Sequence, residues 1–423
     1  MTAVSSPAAS TDSRRPTKTI RRRIAVVVPE LLPVPPVKGG AVELWVHEVT
    51  GRMQAFIANR TPAERSSLSI VSRPAGSAGV PGIDYIGIPW TAMERRMQKI
   101  KDAVTWRNPL RYVAKIQNVW SYGRRAARAV QDFDLIYIHN EPNLLLFFAK
   151  SPQRKLVLHM HNDHLSSRLF RPIYDRALAR ADVVLCVSDY IRERAVQMYP
   201  AHAARFRVVE NSTDPQVFRP YGAEAWTAVQ TVMPRAPAIN LLYVGRLVAI
   251  KGVHVLIEAF KLVHARDPRA RLVIAGSSFF EGASTTPYQN ELVALAEPVK
   301  DALIFTGYLP HATLKFLYSA ADMVVVPSVW QEPSGLVVLE AMASGTCVVA
   351  AAVGGIPELI EDGTTGVLVP ANDPRALAAA VLETLSNPEK KSRMEAAART
   401  RVASKYTWER VVGEIDSVFG DLS

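Results

Sequence analysis

From residue 24 to residue 369 the chain alternates short, almost unbroken apolar runs with longer stretches in which apolar positions recur every three or four residues. The runs are rich in Val, Ile and Leu. They fall at Ile24–Val28, Leu68–Val71, Leu135–His139, Lys155–His161, Val183–Val187 and Arg207–Val209. A second set falls at Leu241–Val244, Leu272–Ala275, Leu303–Thr306, Met323–Val326, Cys347–Ala350 and Gly366–Val369. A strand with one wet face alternates apolar and polar residues. These runs do not alternate, so they read as strands of parallel sheets covered on both faces. The helical stretches between them supply the crossovers. Residues 219–239 interrupt the series with Pro220, Gly222, Pro234 and Pro237 and no strand. The pattern therefore predicts α/β architecture: two doubly wound, Rossmann-like domains, 21–211 and 239–405, facing a cleft, with a linker at 212–238. Residues 1–20, rich in Ser, Ala, Thr, Pro and Arg, read as a disordered basic tail that lacks the apolar core of an export signal.

Composition narrows the function classes. The 423 residues hold 50 Lys+Arg against 39 Asp+Glu, a net charge of +11. That excess is local: residues 1–23 carry +5 and residues 91–128 carry +8, so the remainder is close to neutral. A general nucleic-acid surface is disfavoured, because the basic charge is confined to two patches. No apolar stretch approaches the ~18 residues that span a bilayer. Two cysteines, Cys186 and Cys347, exclude a disulfide scaffold and a cysteine-rich zinc module. Both lie in apolar runs, which suits a reducing cytoplasm. In the basic segment, Met93, Met97, Ile100 and Val104 recur at helical spacing with Arg95, Arg96, Lys99 and Lys101 between them. Such a helix either packs on the core with a solvated basic face or docks on an anionic membrane surface.

Chemistry concentrates in the second half. The strand Leu241–Val244 runs into Gly245 and Arg246, with Lys251 and Gly252 after it. Two cations and a helix N-terminus around one point form an environment for a diphosphate. Glu332-Pro333-Ser334-Gly335-Leu336 follows the strand Met323–Val326, and Pro333 suits the first turn of a helix. Glu340 comes two turns along, behind an apolar run. A carboxylate there needs a partner, and sugar hydroxyls are suitable donors. Near the N-terminus, Gly39-Gly40 opens a helix after a Pro-rich stretch, as either a simple turn or a phosphate-admitting loop. His159, His161 and His164 stand near Asp163. Metal ligation, a polar loop and substrate contact are all open from the residues, but the strand is not expected to bring all of them to one ion. Asp132 and Asp134 flank Phe133 as a metal-binding pair could, yet they precede the strand Leu135–His139, at the edge of the sheet away from ligands. No metal is therefore expected.

The segments VGRLVAIKG, EPSGLVVLEAMASG and VGGIPELIEDGTTGVLVP resemble the retaining glycosyltransferases of family 4, which have the two-domain GT-B fold. The family signature, two glutamates with seven residues between, is matched by Glu332 and Glu340. The resemblance implies that Arg246 and Lys251 bind the donor diphosphate, that Glu340 holds the ribose hydroxyls, and that Glu332 and His161 contact the transferred sugar. It also implies that Ser334, Gly335 and Leu336 offer backbone amides, that Gly39 and Gly40 lie near the donor phosphate, and that the helix after Tyr406, 406–421, packs back on the first domain. Glu210-Asn211-Ser212 departs from the family's usual Asn-Gly at the domain edge. LLPVPPVKGGAVE and VLHMHNDH are similar to bacterial spore-coat-associated members. The expected activity is transfer of a hexose from a UDP- or GDP-linked donor to a glycan, lipid-linked, in surface polysaccharide biosynthesis. Alternatives are a same-fold synthase acting on a soluble sugar phosphate, a nucleotide-sugar epimerase, or a basic membrane- or nucleic-acid-binding protein without activity.

Overall fold

The structure is a computed structural model that describes residues 22–36, 40–61, 65–76, 79–104, 108–233, 237–277 and 286–422. The tail at 1–20 and Gly39 lie outside the described residues. The first sheet contains β1 (Arg23–Val27), β2 (Ser67–Ser72), β3 (Asp84–Gly87), β4 (Leu135–His139), β5 (Lys155–Met160), β6 (Val183–Cys186) and β7 (Phe206–Val208). The second contains β8 (Ile239–Val244), β9 (Ala270–Ala275), β10 (Leu303–Gly307), β11 (Met323–Val326), β12 (Cys347–Ala351) and β13 (Val367–Val369). The orders are β3-β2-β1-β4-β5-β6-β7 and β10-β9-β8-β11-β12-β13. Every pair is parallel; β1 sets Ile24 opposite both Leu68 and Leu135. In each sheet the order reverses once, between β1 and β4 and between β8 and β11. The crevice outside the strand ends at such a point is where these folds take ligands. Strand β3 was not expected: its DYIG carries no apolar run, and it is half exposed at the sheet edge.

The helices of the first half are α1 (Ala41–Ala58), α2 (Ala92–Ala103), α3 (Pro109–Ala129), α4 (Arg171–Leu178) and α5 (Asp189–Met198). Those of the second are α6 (Ala223–Val229), α7 (Val253–Arg266), α8 (Pro287–Ala296), α9 (His311–Ala320), α10 (Leu336–Ala343), α11 (Ile356–Leu359), α12 (Pro374–Ser386), α13 (Pro388–Lys405) and α14 (Trp408–Asp421). Trp45, Val49 and Met53 of α1 cover one face of the first sheet together with Val411, Ile415 and Phe419 of α14. The last helix thus belongs to the first core. Val119, Tyr122 and Ala177 cover the other face. Apolar residues on both sides explain why the strands read as unbroken apolar runs.

Two expectations need correction. The stretch 212–238 is not an open linker. It contains α6, and Phe218, Ala225, Val229 and Met233 are buried in the second domain. Gly222, at φ +55°, is the N-cap that opens that helix. The basic segment is also different in detail. Met97 and Ile100 are half buried, α2 packs along α3, and Glu94 is fully buried. The exposed apolar stripe is on α3 instead, at Val113, Ile116 and Trp120.

Candidate active site

The second domain places its chemistry at the β8/β11 reversal. After β8 the chain turns through Gly245 and Arg246 to a short turn, Ala249–Lys251, and Gly252 starts α7. Gly252 has φ +70°, and a Cβ there would lie 1.9 Å from the Pro327 carbonyl oxygen. Only glycine allows the loops after β8 and β11 to pack this closely. The Val329 amide then bonds the Ile250 carbonyl at 3.1 Å. As a result the Lys251 ammonium sits 2.7 and 2.8 Å from the two Glu332 oxygens. The Ser328 hydroxyl donates to the same carboxylate. Arg246 is exposed and makes no ion pair among the described residues. It stands at a cavity of about 180 Å³ lined by Gly245, Gly276, Ser277, Tyr308, Leu309 and Leu314. Loop backbone at three strand ends, with one aromatic and two aliphatic walls, suits a flat heterocycle. Tyr308, Leu309 and Leu314 were not found from sequence: they follow a strand but carry no charge or spacing that marks them.

Helix α10 begins at Leu336 with Gly335 as its N-cap, so Pro333 precedes the helix rather than lying in its first turn, and Glu340 is its fifth residue. Glu332, Ser334 and Glu340 are each about nine-tenths buried. The partners of Glu340 are protein groups: Tyr318 donates to Oε2 at 2.8 Å and His311 Nε2 lies 2.9 Å from Oε1. Each oxygen keeps a lone pair for a further donor. That hydrogen bond, ahead of the opposing effect of burial, holds the His311 imidazole above its ordinary value. A cavity of about 100 Å³ lies over this pair, and Glu48, Arg52, Ser212 and Trp408 close it from the first domain and the connecting chain. Gly40, the N-cap of α1, has φ +111° and opens the helix that carries Glu48.

The first domain contributes a histidine stack. His159 and His161 are two apart, so they share one face of the chain, and His139 joins them from β4 opposite His159. The strand therefore brings His159 and His161 together but not His164, which bonds the Asn140 carbonyl instead. His139 Nδ1 lies 3.0 Å from His161 Nε2, and Tyr137 bonds His159 Nδ1 at 2.6 Å. Burial pulls the His161 imidazole down to about 3 and keeps His139 and His159 neutral too. The three offer nitrogen atoms within 4.8 Å of one another, a cluster with the reach of a metal site. Their rings, however, lie 24–30° from parallel. In-plane lone pairs on stacked rings run side by side, whereas a tetrahedral ion needs them to converge. Asp134 accepts the Arg23 amide at 2.7 Å at the opposite edge of the sheet.

The two domains are clasped beside the Glu332 loop. The Ser188 hydroxyl, N-cap of α5, donates to the Pro333 carbonyl at 2.5 Å. The Glu358 carboxylate from α11 accepts the Asp189 and Tyr190 amides at 2.9 and 2.7 Å. An anion at a helix N-terminus is favoured by unsatisfied amides and by the helix dipole. Gly354 permits the close packing: at φ +57° its Cβ would lie 1.9 Å from the Glu332 carbonyl oxygen. Glu358 falls inside the segment VGGIPELIEDGTTGVLVP, but its partner on another domain is invisible in a string.

The chain is also similar to known proteins. Residues 235–401 match the family described as glycosyl transferases group 1, and residues 91–217 match glycosyltransferase family 4. Spore coat protein SA of Bacillus subtilis is 25% identical over 94% of this chain and 99% of its own length. The lipopolysaccharide 1,2-N-acetylglucosaminetransferase of Salmonella typhimurium is 26% identical over 92% of this chain and 96% of its own. Anabaena Alr3699/HepE in complex with UDP and glucose superimposes with a TM-score of 0.71 at 19% identity, covering 94% of this chain and 99% of that one. With two facing parallel-sheet domains, residues 91–217 matching glycosyltransferase family 4 and residues 235–401 matching glycosyl transferases group 1, this chain belongs to the family 4 glycosyltransferases of GT-B fold.

Proposed function

We propose that the protein is a retaining hexosyltransferase that uses a UDP- or GDP-linked sugar and a glycan acceptor, lipid-linked, in surface or extracellular polysaccharide biosynthesis at the cytoplasmic face of the membrane. The observation that carries this reading is the placement of Arg246 and Lys251 between the slot at Tyr308 and the Glu332 loop. The base lies in the slot, Glu340 accepts from the ribose, and the diphosphate lies between Arg246 and the open N-terminus of α10. Lys251 bridges Glu332 and the diphosphate. His161 and Glu332 border the transferred sugar. The described residues present no nucleophile poised for a covalent intermediate, so the acceptor oxygen attacks from the face the diphosphate leaves. The C1–O bond to the diphosphate breaks, the bond to the acceptor oxygen forms, and the leaving phosphate takes the acceptor proton. The protein's part is positioning and charge stabilisation.

Membrane contact is supported by α3. Val113, Ile116 and Trp120 are about half exposed, and Arg124 stacks on the Trp120 ring at 4.2 Å. No described helix is long and apolar enough to cross a membrane. A panel of nucleotide sugars, scored by protection against unfolding and by slow hydrolysis, tests the donor assignment. One donor should protect and its free sugar should not. Protection by none would overturn the reading. Activity should survive EDTA, since no metal takes part in this account. Loss with EDTA and recovery with Mn²⁺ would show that the diphosphate is held differently.

A further inference from the structure

The β1/β4 reversal of the first sheet has a crevice of its own. A cavity of about 330 Å³ opens there, at the size of a monosaccharide with a substituent. Its floor holds Glu30, just after β1, and Glu141, just after β4, which are 5% and 3% exposed. Its wall holds Lys101 of α2 with Arg111, Tyr112 and Lys115 of α3. Asn140 aims this floor. It has φ +55°, a left-handed conformation that asparagine adopts more readily than other non-glycine residues. Its side-chain oxygen accepts the His161 amide at 3.1 Å, so the cavity is tied directly to the histidine at the sugar site.

The charges in this cavity are not balanced. Glu141 is answered by Lys115 at 3.3 Å and by the Asn143 amide at 2.7 Å. Glu30 makes no ion pair among the described residues, and burial, with Glu141 second, pushes its carboxyl toward the neutral form. Lys101 and Arg111 make no ion pair among the described residues, and Glu30 and Asp102 act on the Lys101 ammonium only from longer range. The Arg111 guanidinium donates to the Lys101 carbonyl at 2.8 Å, which sets both cations on one wall. Two partly desolvated cations beside two buried carboxyls match a ligand with an anion at one end and hydroxyls at the other.

We propose that this cavity is the acceptor subsite and that the acceptor is a phosphorylated sugar, its phosphate between Lys101 and Arg111 and its hydroxyls on Glu30 and Glu141. The proposal rests on the glycosyl-transfer reading above. A free sugar phosphate and a sugar joined to a lipid through phosphate present the same chemistry to the cavity.

The test is calorimetry on the full chain, with and without UDP, using the 1- and 6-phosphates of glucose, mannose, galactose and N-acetylglucosamine. The methyl glycosides, methyl glucuronide and short polyprenyl diphosphate sugars complete the panel. At least one phosphorylated sugar should bind. The Lys101→Gln and Arg111→Gln double variant should weaken it by about tenfold or more, as expected for lost charge-assisted bonds. UDP affinity should not change in that variant, since these residues lie in the other domain, and an unchanged unfolding midpoint reports an intact first domain. Glu30→Gln, which keeps a hydrogen-bonding group, should weaken sugar phosphates but not inorganic phosphate. Tighter binding of the polyprenyl compounds, dependent on the same cations, identifies the lipid-linked source. Equal binding identifies the soluble one. The proposal is overturned if no phosphorylated sugar binds through Lys101 and Arg111, or if methyl glycosides or methyl glucuronide bind as well. If UDP fails to bind while a sugar phosphate binds as described, the donor reading falls and the cavity assignment stands.

Discussion

Glu340 engages Tyr318 and His311 through its two oxygens and still offers lone pairs to the cleft. Glu340→Ala should weaken UDP by roughly 2–3 kcal/mol, the scale of hydrogen bonds to a charged group, with UDP titration as the readout. Unchanged affinity would sink the ribose assignment. The same pair has a pH signature. His311 is held above its ordinary value, so the pair's contribution to stability is complete below about pH 6.5 and declines as pH rises through the raised value. Glu340→Gln should flatten that decline in urea unfolding followed across pH. Arg246→Ala and Lys251→Ala should each lower kcat/KM by ~10²-fold, the loss typical of a charge-stabilising group. UDP should weaken and uridine should not. Equal losses for both ligands would move these residues away from the diphosphate.

At the scale of elements, α2 and α3 are joined by a buried ionic knot. Glu94 is fully buried and caps α2 in a reciprocal bond with Thr91. It receives Arg125 at 2.6 and 2.7 Å and the buried Arg73 at 3.3 Å. Burial alone would raise its carboxyl, but the Thr91 amide and the Arg73 guanidinium outweigh it and hold the carboxyl below its ordinary value. The knot therefore stabilises above about pH 4.3 and is lost as pH falls through the depressed value. Glu94→Ala strands Arg73 and should cost about 3–5 kcal/mol in chemical denaturation. A loss below ~1 kcal/mol would show that water reaches Arg73. The outer face of α3 carries the membrane prediction. A chain truncated before residue 22 should co-sediment with anionic vesicles at low salt, detach near 1 M where screening shortens to about 3 Å, and ignore neutral vesicles. Ile116→Asp with Trp120→Asp should abolish sedimentation and spare UDP binding. If the truncated parent itself stays in the supernatant, α3 is a solvated helix.

For the whole molecule, the Glu358 and Ser188 contacts connect the arrangement of the domains to the Glu332 loop, because Ser188 bonds the Pro333 carbonyl within that loop. A change in the domain arrangement would therefore pull on the loop. Glu358→Ala should raise the radius of gyration of the nucleotide-free chain in X-ray scattering. It should lower kcat/KM by roughly tenfold through misplacement, with UDP affinity nearly unchanged. A compact variant with full activity would show that the contacts merely accompany closure. The last helix works at the same scale. It starts beside the second domain, where the Thr213 amide bonds the Tyr406 carbonyl at 3.1 Å, and buries Ile415 and Phe419 in the first.

Periodicity and local chemistry were enough for the strands buried on both faces, the two-sheet architecture, and the loops after β8 and β11 that carry Arg246, Lys251 and Glu332, with Glu340 on the helix that follows. These are signals within a single run of residues: apolar continuity, a glycine at a turn, cations five apart. Edge strand β3 had no such signal, because a strand half open to water need not be apolar. Helix α6 was hidden for a related reason: its burial comes from α9, not from its own spacing. The histidine stack, the Glu340 partners, the Glu94 knot, the Glu358 clasp and the Glu30/Glu141 cavity all join residues that are distant in sequence. Each depends on which strands lie side by side and which loops meet at a reversal point. That information enters only when the chain closes on itself, since a buried charge is tolerable only beside a partner that the fold, and not the neighbouring residues, puts there.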